Sequence, residues 1–258
     1  MQDLSNGTRI KQLSIGRPNI LVKHLPKHLF VGRKFYKLHM KVELIPVIEI
    51  GYSNQGIPPP DKYPYWNYPD LWDAYNATCY KKAGFKDRFK PYLAGSSFYR
   101  LTDISIDNLI KLTREHTEEM RLGKYNREQA SAFYGGYVLR IDGEDKYFPQ
   151  CCGDLSDIQY WRKLINDKVK SFYQGHPEPE VIIKGEKITF DFTIEEFDEH
   201  FLPTPADNII SFDIPSLKKA IDIVIDELIE FSSILKQINI QENLEIVDID
   251  KLLVWGDD

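Results

Sequence analysis

The dipeptide Asp142-Gly143 is the sequence feature that most constrains the fold. It stands between two apolar stretches, 132–141 and 146–148. Asp-Gly in this position is typical of a two-residue turn between antiparallel strands. The glycine pair Gly135-Gly136 indicates a bulge or a close approach of another backbone within the first strand. We therefore predict a hairpin, with pairing expected between these residues: Tyr147 and Phe148 against Tyr137 and Leu139.

Three further segments have the 3.6-residue apolar periodicity of helices. They cover residues 105–122, 156–174 and 215–238. The last is the strongest, and Asp213 is its expected N-cap. Thr193 starts a capping-box pattern, so we also expect a short helix to begin there.

Two other segments predict strands. Residues 41–50 are rich in β-branched side chains, and Pro46 favours a sheet edge or a bulge. Residues 180–192 predict a second hairpin that turns at Lys184-Gly185. Hairpins and separate helices together predict the α+β class, with an antiparallel sheet and several packed helices. We expect a single domain over 1–258, with 1–100 and 101–258 as an alternative subdivision.

Residues 51–99 are unusually aromatic, with 13 aromatic side chains in this stretch. Prolines at 58–60, 64 and 69 predict a long irregular segment without a continuous helix. The rings of residues 63–72 could form a stacking platform for a sugar, a base or a peptide. Alternatively, the segment caps the core with its rings.

Charge is divided by position along the chain. Residues 4–42 hold nine lysines and arginines and no acid, whereas residues 191–258 hold 17 acids and four lysines. The basic stretch either binds a polyanion, which leaves nucleic acid among the candidate partners, or packs on the chain's own acidic third.

Four acids lie on or near the polar side of the predicted helix 215–238, and only Lys218 and Lys219 offset them locally. Like charges at these spacings repel one another, so stability alone does not favour them. We predict that they bind a cationic partner: Asp222, Asp226, Glu227 and Glu230.

A compact motif over 147–161 carries two adjacent cysteines at a strand-to-helix junction. A thiol at a helix N-terminus can be a nucleophile, which makes Cys152 a candidate catalytic residue. The alternative is a structural junction in which Asp154 or Ser156 caps the helix. In that case Cys151 and Cys152 are reduced and at least one of them is buried.

Asp142, Glu144 and Lys146 resemble part of the acid and Glu-x-Lys set of metal-dependent nucleases, in which carboxylates hold Mg²⁺ beside a lysine. In such sites the acid and the Glu-x-Lys pair come from neighbouring strands, whereas here Asp142 shares a tight turn with Glu144. The chain has no zinc-finger spacing and no glycine-rich phosphate loop. We therefore predict no metal and no cofactor.

The same 147–161 stretch, YFPQCCGDLSDIQYW, resembles bacterial proteins of the immunity type, which are found beside secreted polymorphic toxins. The resemblance implies a non-catalytic, cytoplasmic antidote that binds one toxin, and it assigns no role to any residue. An acidic protein is steered toward the basic cleft of a nuclease toxin. We therefore favour a protein-binding protein over an enzyme. The alternatives are a metal-dependent nuclease or other nucleotide-acting enzyme, and a sugar- or peptide-binding module.

Localisation follows from what the sequence lacks. No stretch of 18 apolar residues predicts a membrane span, and the first residues do not resemble a secretory signal. Three cysteines cannot build a disulfide framework, which is typical of a reducing compartment. We therefore expect a cytoplasmic protein without a membrane partner.

Overall fold

The structure is a computed structural model that describes residues 40–166, 172–193 and 199–256. The basic stretch, apart from its last residues, and the short helix predicted from Thr193 lie outside the described residues. Within them, two antiparallel sheets and several helices confirm the α+β class.

Four strands form the first sheet: β1 (Val42–Glu49), β2 (Phe98–Arg100), β3 (Gly135–Ile141) and β4 (Glu144–Tyr147). Their order is β2-β1-β3-β4, and every neighbouring pair is antiparallel. The sheet buries both faces, because successive side chains of β1 and β3 enter two different apolar clusters.

The hairpin predicted at Asp142-Gly143 is present between β3 and β4. Asp142 has φ 51° and Gly143 has φ 88°, which are the positive angles that a type I′ turn requires. Leu139 pairs with Tyr147 as expected, whereas β4 ends before Phe148. The local turn chemistry was therefore sufficient to predict this pairing.

Pro46 lies in a central strand whose register against β3 is unbroken, so neither the sheet edge nor the bulge predicted for it is present. Its partner in β3 is Tyr137. On the other side of β1, pairing with β2 starts only at Val47, opposite Arg100. Backbone N–H groups alternate sides along a strand, and Ile50 donates toward the β2 side. The nitrogen of Pro46, four residues before Ile50, therefore also faces the β2 side of β1. At this position β2 has already ended, so no N–H donor is needed.

Three strands form the second sheet: β5 (Glu180–Lys184), β6 (Lys187–Asp191) and β7 (Ile209–Asp213), paired in sequence order. The hairpin predicted over 180–192 is confirmed, with its turn one residue later than expected, at Gly185-Glu186.

The aromatic segment contains a helix that the sequence did not predict: α1 (Pro69–Lys82). The prediction of no continuous helix is wrong because Pro69 stands in the first turn. At that position its missing N–H would have no intrahelical partner, and its fixed φ suits the helix.

The other helices follow the predictions except at their ends. The segment 105–122 forms α2 (Ile106–His116) and α3 (Glu118–Arg121), separated at Thr117, whose hydroxyl donates to the Thr113 carbonyl at 2.8 Å. Ser105 caps α2 as expected. α4 is Ile158–Asn166, and it does not reach residue 174 as predicted, because residues 172–174 are not helical.

The longest helix is α5 (Ile214–Gln241), capped by Asp213 as predicted. It packs against β1 and α4. Its inward side chains, Leu217, Val224, Leu228 and Leu235, are completely shielded from solvent. They join one core with Tyr137, Trp161, Phe190 and Phe212 from both sheets and α4.

Candidate functional site

The two adjacent cysteines lie at the corners of a tight turn on the surface. Gly153 N–H donates to the Gln150 carbonyl at 3.1 Å, which closes a four-residue turn over Cys151 and Cys152. Cys152 has φ 71°, the positive angle found at the third residue of a type II turn. Both thiols are reduced and exposed, with their sulfur atoms 3.4 Å apart. The prediction that at least one of them is buried is therefore wrong.

A buried glutamine fixes the strand beneath this turn. The Gln174 amide oxygen accepts from Tyr137 N–H at 3.0 Å and from Trp161 Nε1–H at 2.9 Å. Its amide nitrogen donates to the Tyr137 carbonyl at 2.9 Å. Gly136 leaves room for this side chain, since an added Cβ would lie 3.2 Å from Gln174 Cγ. The close backbone approach predicted at the glycine pair is found at the neighbouring Gly135, where an added Cβ would overlap the Val47 carbonyl oxygen.

A second glutamine and a short bridge hold the turn itself. Gln150 N–H donates to the Gln174 carbonyl at 3.0 Å, and His176 N–H donates to the Cys151 carbonyl at 2.9 Å. The Gln150 side chain accepts from Leu202 N–H at 2.8 Å and donates to the Phe148 carbonyl at 2.8 Å. Gln150, Gln174 and His176 therefore hold the turn from its inner side, and both cysteines are exposed.

The junction confirms Asp154 as the helix cap. Its carboxylate accepts from Ser156 N–H at 2.7 Å, and Asp157 Oδ2 accepts from Asp154 N–H at 3.0 Å. These side-chain oxygens occupy the N–H groups of Asp154 and Ser156, which are therefore not free to stabilise a thiolate. The hydrogen bond with Cys152 raises the pKa of Cys151, and burial and nearby carboxylates add to the shift. This environment does not favour a thiolate nucleophile.

The candidate nuclease residues make structural contacts around the hairpin. Asp142 Oδ1 accepts from Lys41 N–H at 2.8 Å. Lys146 Nζ lies 2.8 Å from Glu144 and 2.7 Å from Asp207, so it bridges two exposed carboxylates. Among the described residues, no three histidines, cysteines or acids are placed to hold a metal ion.

The aromatic side chains of 63–72 form a partly exposed cluster with edge-to-face contacts. Tyr63 meets Trp66 at 61° and Trp72 at 75°, and Tyr65 meets Trp66 at 87°. Flat stacking of a base or sugar requires rings that present parallel faces. These pairs do not present parallel faces. Further along the segment, Tyr80 packs in the core, as the capping hypothesis expected.

Three of the four predicted partner-binding acids lie on the outer side of α5. Asp222, Asp226 and Glu230 are exposed at i, i+4 and i+8, so they form one stripe along the helix. None of the three makes an ion pair with any residue that the structure describes. Among the described ranges they are thus acids without a local structural role.

Glu227 differs from the other three acids. It is half-buried, and its Oε1 has no hydrogen-bond partner in the described chain. Burial raises the pKa of its carboxyl, and the guanidinium of Arg100 opposes the shift. Both residues line a crevice of about 460 Å³ between β1 and α5. Glu227 therefore belongs to this crevice and not to the open face.

Large apolar side chains share the outer side of α5 with the acids. Four isoleucines are between 37% and 77% exposed: Ile223, Ile229, Ile234 and Ile240. Isolated exposed apolar side chains are common, but here four lie on one helix, interleaved with acids that pair with no described residue, and together they form a mixed surface. We call it the outer face of α5, and define it as these isoleucines with Asp222, Asp226 and Glu230.

The sequence did not single out the glutamines that organise the cysteine turn. Gln150 lies within the 147–161 motif, where it received no role, and the sequence predicts Gln174 as the last residue of a helix over 156–174. No local pattern identifies a buried glutamine, because its partners in β3 are 37 residues away along the chain.

Comparison with known proteins found no match. No protein-family model matches the chain, and neither the curated proteins nor the solved structures include a match. Among the helices in the described ranges, none combines the length and the apolar character needed to cross a bilayer.

Proposed function

We propose that this chain is a non-catalytic protein-binding protein whose outer face of α5 binds a basic protein partner. The observation that carries the proposal is that one long helix presents exposed isoleucines together with acids that make no ion pair within the described part of the chain. The resemblance of residues 147–161 to immunity-type proteins supports a more specific form of it. In that form the chain is a cytoplasmic antidote and the partner is a basic toxin domain.

The two kinds of side chain would have different roles in binding. Asp222, Asp226 and Glu230 attract a positively charged surface over a distance of about one Debye length, which raises the association rate. Burial of the isoleucines stabilises the complex once it has formed, by roughly 25 cal/mol for each Å² of apolar surface removed from water. Apolar anchor residues accompanied by polar side chains at the rim are common in protein interfaces.

A depression beside the face offers a place for an anchoring side chain. It lies between α4 and α5, and Asp222, Asp226, Ile229 and Trp255 border it. Arg162 and Lys218 also border it, so its own charge is mixed. Two acids and two bases thus border the depression, and Glu230 is not among the residues that line it.

Charge reversal tests the proposal. The bait is the full chain, used to capture the partner from cells that produce it, and the captured protein is then purified and titrated directly. The double variant Asp226→Lys/Glu230→Lys should slow association at low salt by about tenfold or more, and less at high salt. The control Asp61→Lys/Glu180→Lys makes the same charge change at two exposed acids outside α5. It should bind within about twofold of the parent.

Two results would contradict the proposal. One is an equal loss of association in the α5 variant and the control, which would show a dependence on net charge alone. The other is a fall of several degrees in the melting temperature of the α5 variant, since this would show that the acids stabilise the chain internally.

A further inference from the structure

The side chains of Cys151 and Cys152, unlike their backbone groups, take no part in the hydrogen bonds that the structure shows holding the junction together. The turn around them is held by Gln150, Gly153 and Gln174 through backbone and amide hydrogen bonds. Neither thiol hydrogen-bonds to this network, and among the described residues the two sulfur atoms hydrogen-bond to each other. A fixed turn thus presents two solvent-exposed sulfur atoms side by side.

We infer that Cys151 and Cys152 form a two-thiol site for a soft, thiophilic trivalent centre of the arsenic(III) type, bound through both sulfurs. The sulfur atoms are 3.4 Å apart, and one soft atom roughly 2.3 Å from each sulfur fits between them. Soft ligands such as thiolates select soft centres. Because the turn already holds the two sulfurs together, the second bond forms intramolecularly and at a high effective concentration.

The number of protein ligands agrees with a trivalent centre. Two sulfurs are available, and no group of three histidines, cysteines or acids in the described part of the chain could complete a larger metal site. A structural zinc ion almost always has four ligands. A trivalent arsenical needs only two sulfurs from the protein, because its third bond goes to its own organic substituent or hydroxyl.

An internal disulfide fits the same pair less well. Adjacent Cα atoms are about 3.8 Å apart across a trans peptide. Ordinary disulfides join Cα atoms roughly 4.4–6.8 Å apart, and deviation from this range strains the bond and makes it easier to reduce. A single bridging atom lengthens the link between the two sulfurs and avoids this strain.

The charges around the turn favour an electron-poor ligand. Glu49 and Glu199 lie close enough to Cys151 to disfavour its thiolate. The same carboxylates repel anionic reagents and favour the protonated form of the Cys151 thiol. The reaction must therefore release the thiol protons, which an arsenical oxide accepts on its oxygen.

The reaction with phenylarsine oxide is balanced without an oxidant. Two S–H bonds and the arsenic–oxygen bond break, two As–S bonds form, and the oxygen leaves as one water molecule with both thiol protons. Arsenic stays trivalent and sulfur is neither oxidised nor reduced. The adduct mass is therefore that of the protein plus the probe minus one water.

The test uses the full chain, phenylarsine oxide and a non-thiol reductant, with intact-mass and competition readouts. We expect one adduct per chain that survives an excess of a monothiol and is removed by a dithiol. Cys151→Ser and Cys152→Ser should each lower the affinity for the probe at least about tenfold, because each leaves a single As–S bond. The control Cys79→Ser removes the buried thiol of α1 and should leave the affinity unchanged.

Either of two results would overturn the inference. One is an adduct that a monothiol removes as readily as a dithiol. The other is full retention of binding in Cys152→Ser or Cys151→Ser. Both altered positions are exposed, so the melting temperature of each serine variant should match that of the parent, and this measurement excludes unfolding as the cause of lost binding.

Discussion

The side-chain amide of Gln174 takes the place of a strand residue beside Tyr137. It accepts from the Tyr137 N–H at 3.0 Å and donates to the Tyr137 carbonyl at 2.9 Å. These groups point to the side of β3 that β4 occupies, but β4 has already ended at Tyr147, opposite Leu139. The Gln174 side chain thus makes the hydrogen bonds to β3 that a further residue of β4 would otherwise make.

Replacement of Gln174 by leucine should destabilise the protein strongly. Three buried groups would lose their partners: the N–H and carbonyl of Tyr137 and Nε1–H of Trp161. Each unsatisfied buried group costs about 1–3 kcal/mol, so the loss of all three partners should lower the free energy of unfolding by at least about 3 kcal/mol. Urea denaturation measures it. Gln237→Leu, at an exposed position of α5, should change stability by less than about 0.5 kcal/mol. A similar small change for Gln174→Leu would refute the role assigned to this amide.

Gly135 should not tolerate a side chain. A Cβ at this position would overlap the carbonyl oxygen of Val47 in β1, and φ is 134°. Gly84 also has a positive φ, 87°, but an added Cβ would meet nothing within 4 Å. Gly84→Ala therefore shows the cost of backbone strain alone, about 1–2 kcal/mol. Gly135→Ala should cost clearly more in the same denaturation experiment, and equal losses would show that the close approach of β1 has no energetic effect.

Asp157 should make stability depend on pH. Burial raises the pKa of its carboxyl to about 8, from an ordinary value of about 3.9. Below the ordinary value, folded and unfolded chains both hold the proton. Between the two values only the folded chain holds it, so stability falls as pH rises through this window, by up to about 1.4 kcal/mol per pH unit. Above about pH 8 both states are ionised and this dependence ends.

The variant Asp157→Asn isolates that dependence. Asparagine keeps a carbonyl oxygen for Asp154 N–H but cannot ionise. The difference in melting temperature between variant and parent should therefore grow in favour of the variant from pH 4 to pH 8. A difference that stays constant over this range would show that Asp157 does not retain its proton in the folded protein.

Local chemistry predicted much of the fold but not the features that depend on distant residues. The Asp142-Gly143 turn and the caps at Ser105, Asp154 and Asp213 are encoded by neighbouring residues, and all are present. α1 was missed because Pro69 is a helix breaker inside a helix but compatible with its first turn.

The candidate-site residues also fall into two groups, those whose position local sequence predicts and those whose position depends on distant residues. The exposure of Asp222, Asp226 and Glu230 follows from the helical period, so the sequence could place them on the outside of α5. The burial of Glu227 depends on β1 and Arg100, which the period does not reveal. The exposure of both cysteines depends on Gln150 and Gln174, whose partners are remote in sequence.

The most direct test of the proposed function is to map the bound surface with isoleucine methyl groups. The full chain, labelled at isoleucine δ1 methyls, is titrated with the purified partner and followed by NMR. The account predicts shifted or broadened signals for the outer face of α5, from Ile223, Ile229, Ile234 and Ile240. Ile106 and Ile209 are comparably exposed, at 53% and 56%, but lie outside this face, so their signals should not change. Perturbation of Ile106 or Ile209 with unchanged α5 signals would contradict the account.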